Sequence, residues 1–253
     1  MKQRGLAIYS AFVLAFLHAP LLVLILFSFN DSRFTVWRGF SLRWYLAAIH
    51  DPRLMEGLVN SLIIAGFAAV ISTAIGTLAA YGMWRRSAPW LSGALYLSLV
   101  TPEIVTGVSL LALFQWAFRF LHLRLGLHTV IVAHVAFSIA YVTIVVSARL
   151  RSYDHSLEEA AMDLGASEWH AFSRVTLPVL APAIAAAGLL ALVVSFDDYV
   201  ITSLVAGVDS ETLPMVIYAM ARRGVSPVVN AVSTLIVVSF GAIILISQRL
   251  QKE

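Results

Sequence analysis

Residues 151–178 read RSYDHSLEEAAMDLGASEWHAFSRVTLP, a polar stretch set between two long apolar runs. Within it, Ser156 and Glu159 have the S-x-x-E spacing of a capping box, which predicts that a helix begins there. Gly165 follows at the position typical of a C-terminal glycine, and Ser167 can begin a second short helix. The stretch therefore predicts two short helices joined by a glycine turn.

The first of these helices has two unlike faces. Apolar side chains recur at helical spacing on one face, and carboxylates occupy the rest. The apolar set is Leu157, Ala160, Ala161 and Leu164, and the acidic set is Glu158, Glu159 and Asp163. A rigid, partly apolar helix held outside a membrane can fit the groove of a partner protein. The pattern favours a helix that couples this chain to another one.

Composition places most of the chain in a bilayer. Hydrophobic residues make up 60% of the 253 residues, charged residues make up 12%, and the mean hydropathy is +0.87. A soluble domain carries about 25% charged residues. With no cysteine, disulfides and thiolate metal sites are excluded, and a net charge of +3 spread along the chain gives no support for nucleic-acid binding.

Six apolar runs are long enough to cross a membrane, which takes roughly 20 residues. The sequence thus predicts an all-α integral membrane protein whose 253 residues form one transmembrane domain without a separate soluble domain. Lys and Arg divide almost evenly between the two sides, so charge alone leaves the orientation open. The predicted spans are residues 6–29, 58–82, 91–118, 126–150, 177–206 and 228–247, with the polar loop 151–176 between the fourth and the fifth.

Three acidic residues fall inside these spans, namely Glu103, Asp197 and Asp198, with Tyr199 beside the pair. A carboxylate in hydrocarbon is costly unless it is paired or faces water, so these residues are candidates for the pathway of a transported solute. Adjacent aspartates on a helix point about 100° apart, so one can face the pathway while the other pairs with a neighbouring helix or caps a broken segment. Carboxylates beside aromatic rings suit a cationic solute.

Two further residues belong with this group. Pro102 precedes Glu103 and can kink the third span, which would open a polar face. His134 in the fourth span is expected to be a hydrogen-bonded packing residue. No spacing of His, Asp and Glu typical of a metal site occurs, and no G-x-x-x-x-G-K-[ST] loop for binding ATP is present.

The polar stretch resembles the EAA loop of ABC importer permeases, E-A-A-x3-G-x9-I-x-L-P. Its fixed positions are met here by Glu159-Ala160-Ala161, Gly165 and Leu177-Pro178, with Val175 in place of the usual isoleucine. The resemblance implies a type I (MetI-like) permease fold with a cytoplasmic coupling helix that docks on an ATPase, and it implies cytoplasmic N- and C-termini. It assigns coupling to Glu159, Ala160, Ala161, Asp163, Gly165, Leu177 and Pro178. Capping and coupling both stay open as roles for Glu159.

Several stretches are similar to the spermidine/putrescine importer permeases, in particular the second, C-type permease of those systems. They include 101–105, 195–207, 212–214, and 224–227 with Asn230-Ala231. The resemblance implies a bacterial inner-membrane subunit that forms half of a polyamine pathway with a homologous sister permease. It also implies two copies of an ATPase that bind ATP and Mg²⁺, and a periplasmic polyamine-binding protein.

Other functions remain open from the residues alone. The same importer mechanism could carry an opine, an amino-acid derivative or an oxyanion. An ion-coupled secondary transporter could use Glu103 and the aspartates as a proton relay, but no internal repeat supports that class. A membrane enzyme would need a nucleophile, metal or cofactor motif, and the sequence contains none.

Overall fold

A computed structural model describes residues 2–34, 36–224 and 226–250, and it describes the side chains of residues 5–34, 36–224 and 226–242. Within these ranges the chain is helical and forms no β-strand, which confirms the all-α prediction. Val225 and the three C-terminal residues, which the sequence analysis included, lie outside the described residues. The helices are α1 (Lys2–Ser28), α2 (Arg43–Ile49), α3 (Pro52–Arg85), α4 (Pro89–Val100), α5 (Glu103–Leu121), α6 (Leu127–Leu150), α7 (Ser156–Asp163), α8 (Glu168–Ala171), α9 (Leu177–Asp197), α10 (Val200–Val205), α11 (Leu213–Arg222) and α12 (Pro227–Leu250), with a π-helical turn at Phe172–Thr176 between α8 and α9.

Among the described residues, five helical segments are long and apolar enough to cross a membrane. They are Gly5–Ser28, Pro52–Arg85, Glu103–Leu121, Leu127–Leu150 and Glu168–Asp197. The second is longer than predicted, because Asp51 and Pro52 begin the helix early. The Asp51 carboxylate accepts the backbone N–H of Arg53 at 3.0 Å, and proline suits the first helical position.

The predicted third span is wrong in one respect, since it is two helices and not one. α4 ends at Val100 and α5 begins at Glu103. Thr101 between them has an extended ψ of 128°. Pro102 explains the break, because its ring disfavours helical geometry in the residue before it.

The chain forms two compact units, and the first comprises residues 1–55 and 216–253. In this unit α1 packs along α12. The loop after α1 is organised by Asn30, which is 1% exposed. The side-chain amide of Asn30 donates to the backbone carbonyl of Val36 at 2.9 Å. The backbone carbonyl of Asn30 accepts the indole N–H of Trp44 at 2.7 Å. The loop is therefore held by hydrogen bonds to the side chain and the backbone of one buried residue, Asn30.

The second unit, residues 56–215, contains both groups of candidate site residues. Its core joins α3, α6 and α9 through small side chains, which let helices approach closely. A Cβ on Gly76 would lie 2.7 Å from Val142 of α6, and one on Gly188 of α9 would lie 3.0 Å from Thr73. Small residues on α3 thus form a packing surface for α6 and α9.

Candidate functional site

The hairpin of residues 151–176 folds as two short helices, as the sequence predicts, but the capping box does not form. α7 begins at Ser156, and the reciprocal hydrogen bonds predicted between Ser156 and Glu159 are not made. Asp154 takes that role, because its carboxylate accepts the Ser156 N–H at 3.0 Å. Hydrogen bonding from Ser156 lowers the pKa of the Asp154 carboxyl below its usual value.

The glycine turn is present as predicted. Gly165 has φ +91°, which favours glycine. Its N–H donates to the Met162 carbonyl at 2.9 Å, and the Ala166 N–H donates to the Ala161 carbonyl at 3.0 Å, which together form a Schellman motif. Ser167 then caps α8 by accepting the N–H of His170 at 3.4 Å.

Most of the residues assigned to coupling lie on the outside of the hairpin. The Glu159 side chain is 63% exposed and lies 3.2 Å from Nδ1 of His155, the residue just before α7. Leu157 and Leu164 are also exposed, so this chain leaves the two largest side chains on the apolar face of α7 uncovered. Of the remaining assigned residues, Ala160, Asp163, Gly165 and Pro178 are exposed, and Ala161 and Leu177 are half-buried.

The inward face of α7 carries a residue that sequence reasoning missed. Glu158 is 1% exposed, although it was grouped with the outward carboxylates. Its Oε2 accepts from the hydroxyl of Tyr81 and from Nη1 of Arg85, each at 3.3 Å, and its Oε1 accepts from the hydroxyl of Thr176. The available signal was helical spacing, because half-buried Ala161 and Met162 lie three and four residues further on the same face.

The four predicted pathway residues come together at the other end of α9. Glu103, Asp197, Asp198 and Tyr199 line one cavity of about 360 Å³. Glu103 is the first residue of α5, and Asp197 is the last residue of α9. Both carboxylates are exposed in this chain, so they can meet a solute that enters the cavity.

The helix predicted over residues 177–206 breaks at the aspartate pair, where the sequence analysis allowed one aspartate to cap a broken segment. α9 ends at Asp197, and Asp198 has an extended ψ of 126° before α10 begins. The Asp198 carboxylate accepts the N–H of Thr202 at 2.8 Å, its hydroxyl at 2.7 Å, and the N–H of Ile201 at 3.3 Å. It thus satisfies the first amides of α10 and holds the break in place.

His134 from α6 completes this arrangement. Its ring is fully buried, with Nδ1 2.7 Å from the hydroxyl of Ser195 and Nε2 2.9 Å from that of Thr202. Nε2 also lies 3.3 Å from the Asp198 carboxylate. Across the described residues, no group of three or more His, Asp and Glu side chains could hold a metal ion.

The hairpin and the cavity lie in the region that a known family shares with this chain. The sequence profile of the binding-protein-dependent transport system inner membrane component matches residues 72–252. The chain belongs to this family. It is a membrane component of a transport system, and both candidate sites lie within the region that the family profile covers.

Individual relatives match almost the full length. The spermidine/putrescine transport system permease protein PotC of Escherichia coli strain K12 is 37% identical over 245 residues, which cover 95% of this chain and 91% of the relative. The putrescine transport system permease protein PotI of the same strain is 42% identical over 235 residues, covering 90% and 84%.

Solved structures show the same fold. A chain of a bacterial ABC transporter involved in the import of the acidic polysaccharide alginate superposes with a TM-score of 0.69 at 18% identity, covering 100% of this chain and 97% of that one. A chain of the MetNI methionine ABC transporter in an inward-facing conformation gives 0.62 at 19% identity, covering 83% and 97%. The chain therefore has the fold of these ABC transporter chains.

Proposed function

We propose that this chain is a permease subunit of an ATP-driven importer and forms half of a pathway for polyamines such as putrescine and spermidine. The observation that carries the proposal is the near full-length similarity to polyamine permeases, joined to a cavity lined by carboxylates. A polyamine carries several ammonium groups, and each gains charge-assisted hydrogen bonds from a carboxylate.

Asp197 and Glu103 are the residues we assign to the cation. Both are exposed at the cavity, and Tyr199 supplies an aromatic ring beside them. Asp198 has a different role in the proposal, because its oxygens are already occupied by donors from α10. It positions the helix break so that Asp197 stands at the cavity.

The hairpin is the part that receives force from the ATPase. α7 offers an uncovered apolar face, with Leu164 90% exposed, beside the exposed carboxylates Glu159 and Asp163. Such a helix fits a groove in a partner. In this scheme the chain has no ATPase site of its own, and two copies of a cytoplasmic partner hold ATP and Mg²⁺.

The proposal fixes the topology. If α7 faces the cytoplasm, α1, α3, the α4–α5 pair, α6, the α9–α10 pair and α12 give six crossings of the bacterial inner membrane, with both termini cytoplasmic. All 253 residues then serve one permease domain. α12 is 24 residues long, which suffices for a crossing.

Further partners complete the importer. The most apolar stretch of α1 is 0% buried by this chain, so lipid or a sister permease must cover it. A homologous sister permease supplies the other half of the pathway, and a periplasmic binding protein delivers the polyamine. Cargo of another kind, such as an opine, an amino-acid derivative or an oxyanion, is the second candidate, since a binding protein sets much of the selectivity.

Uptake of radiolabelled putrescine and spermidine tests the proposal in cells with and without the gene. Gene-dependent uptake that stops on ATP depletion and persists under an uncoupler is the expected result. Uptake unaffected by the gene would remove polyamines as cargo. Uptake that follows the proton gradient would overturn the importer in favour of a secondary transporter.

A further inference from the structure

Two adjacent glutamates in α7 have opposite environments. The Glu159 side chain is 63% exposed, whereas Glu158 is 1% exposed and is held by donors from outside its own helix. Burying a carboxylate is costly unless it is paired and hydrogen-bonded. The burial of the Glu158 carboxylate therefore calls for a structural or functional explanation.

One set of donors comes from the end of α3. The Tyr81 hydroxyl and the Arg85 guanidinium each lie 3.3 Å from Oε2 of Glu158. Arg85 bridges two carboxylates, because its Nη2 also lies 3.3 Å from the Glu168 carboxylate of α8. Phe172 packs on the Tyr81 ring with centroids 4.4 Å apart. α7 and α8 are thus both attached to the last turn of α3.

The other donor belongs to the start of α9. Thr176 is the last residue of the π-helical turn, is fully buried, and donates its hydroxyl to Oε1 of Glu158. Because that hydrogen is used, the hydroxyl of Tyr153 donates to the Thr176 oxygen at 3.1 Å. π-Helical turns are rare and recur at functional sites. Here the turn places Thr176 against α7.

The two oxygens of one carboxylate therefore connect three elements. We propose that Glu158 is a positioning residue for energy coupling, which fixes α7 to α3 and to the start of α9 so that the three move as one body. From Thr176 the next 21 residues of α9 extend about 30 Å to the cavity. The inference rests on the proposed coupling role of α7, and it explains how a push on an outer helix reaches the cavity.

Glu158→Gln in the purified importer complex is the main test, because it keeps the side chain's size and removes its charge. Loss of charge-assisted bonds should lower the amount of putrescine moved per ATP hydrolysed by about tenfold or more, while assembly and basal ATP hydrolysis stay at the wild-type level. Asp209→Asn is the matched control. Asp209 is exposed with φ +61°, a conformation that asparagine also adopts, so transport per ATP should not change.

A distance measurement separates positioning from other causes. This chain contains no cysteine, so spin labels at Leu78→Cys on α3 and Ser156→Cys at the start of α7 are the only ones in it; both sites are exposed, and neither is assigned to coupling. We expect a narrow distance distribution that is the same with and without ATP, and a broad one in Glu158→Gln. If Glu158→Gln does not assemble, Thr176→Val takes its place in the same measurement; it removes one of the three donors to Glu158 and the acceptor of the Tyr153 hydroxyl.

An unchanged distribution width in these variants overturns the inference, whether or not the complex transports putrescine. Wild-type transport per ATP in Glu158→Gln overturns it as well. A wild-type complex without ATP-driven uptake would instead refute the proposed function, and the label distances would still report on Glu158. The two failures are therefore distinguishable.

Discussion

Asp197→Asn and Asp198→Asn remove the same charge from adjacent residues, and we expect different consequences. The Asp198 side chain is 6% exposed and accepts from Thr202 at 2.7 and 2.8 Å. Asp197 is exposed at the cavity. The first substitution should therefore affect binding of the cargo, and the second should affect stability.

The expected loss at Asp198 follows from its two short bonds. A hydrogen bond to a charged acceptor contributes about 1.5–3 kcal/mol, against about 0.5–1.5 kcal/mol for a neutral one. Replacing the carboxylate by an amide therefore costs about 2 kcal/mol for the two bonds together. For a chain of this length, the midpoint of thermal unfolding should fall by roughly 4–8 °C.

Asp197→Asn breaks no such bond, and its midpoint should stay within about 2 °C of the wild type. Its apparent KM for putrescine should rise on the order of tenfold, because the ammonium group loses a charged acceptor. Thermal unfolding of the purified complex and initial rates of uptake measure the two effects, with Asp209→Asn as the control. The reasoning is refuted if Asp198→Asn unfolds at the wild-type temperature, or if Asp197→Asn lowers the midpoint by as much.

Three further changes test local features. Gly165→Val should reduce transport but not membrane insertion, because φ +91° costs a β-branched residue about 1–2 kcal/mol; uptake and membrane content measure this. Gly76→Ala should destabilise by about 1–3 kcal/mol, because its Cβ would lie 2.7 Å from an α6 side chain, whereas Gly66→Ala, with nothing within 4 Å, should not. The Asp154 pKa is lowered on folding, so this cap stabilises α7 above the unfolded pKa and is lost as pH falls through the lower folded pKa. A spin label at Leu164→Cys should gain mobility over that acidic range, and Asp154→Asn should abolish the dependence.

Features set by local backbone rules could be predicted from the sequence. Gly165, Ser167 and Pro178 mark the hairpin by properties that depend on their own residue type. Pro102 predicted a kink in the third span for the same reason, but the sequence did not show that the span would separate into two helices. In each case the cause lies within one or two residues of the effect.

Features set by tertiary contacts could not be predicted in this way. No glycine or proline lies at residues 198–199, so only the preference of aspartate for the N-cap position pointed to a break in the fifth span. What could not be predicted is that Asp198, besides capping α10, also meets His134 of α6. Likewise, Glu158 and Glu159 are the same residue type, and the polar partners that hold Glu158, Tyr81 and Arg85, come from α3, 73 or more residues away in the sequence.

The two candidate sites lie at opposite ends of α9, and this determines how they can communicate. A push on the hairpin either moves α9 as a body or bends it. Pro182 is the place for a bend, because it leaves one helical hydrogen bond unmade. Yet Leu180 and Ala187, on either side of it, are fully buried against α3 and α6, so a bend would open a close-packed core. Motion of α9 as one body with the α3 and α6 side chains packed on it is therefore less costly than a bend, and in the proposed mechanism it would shift Asp197, the last residue of the helix. In the proposed mechanism, the interruption of the helix at Asp198 would let α9 move without carrying α10 with it.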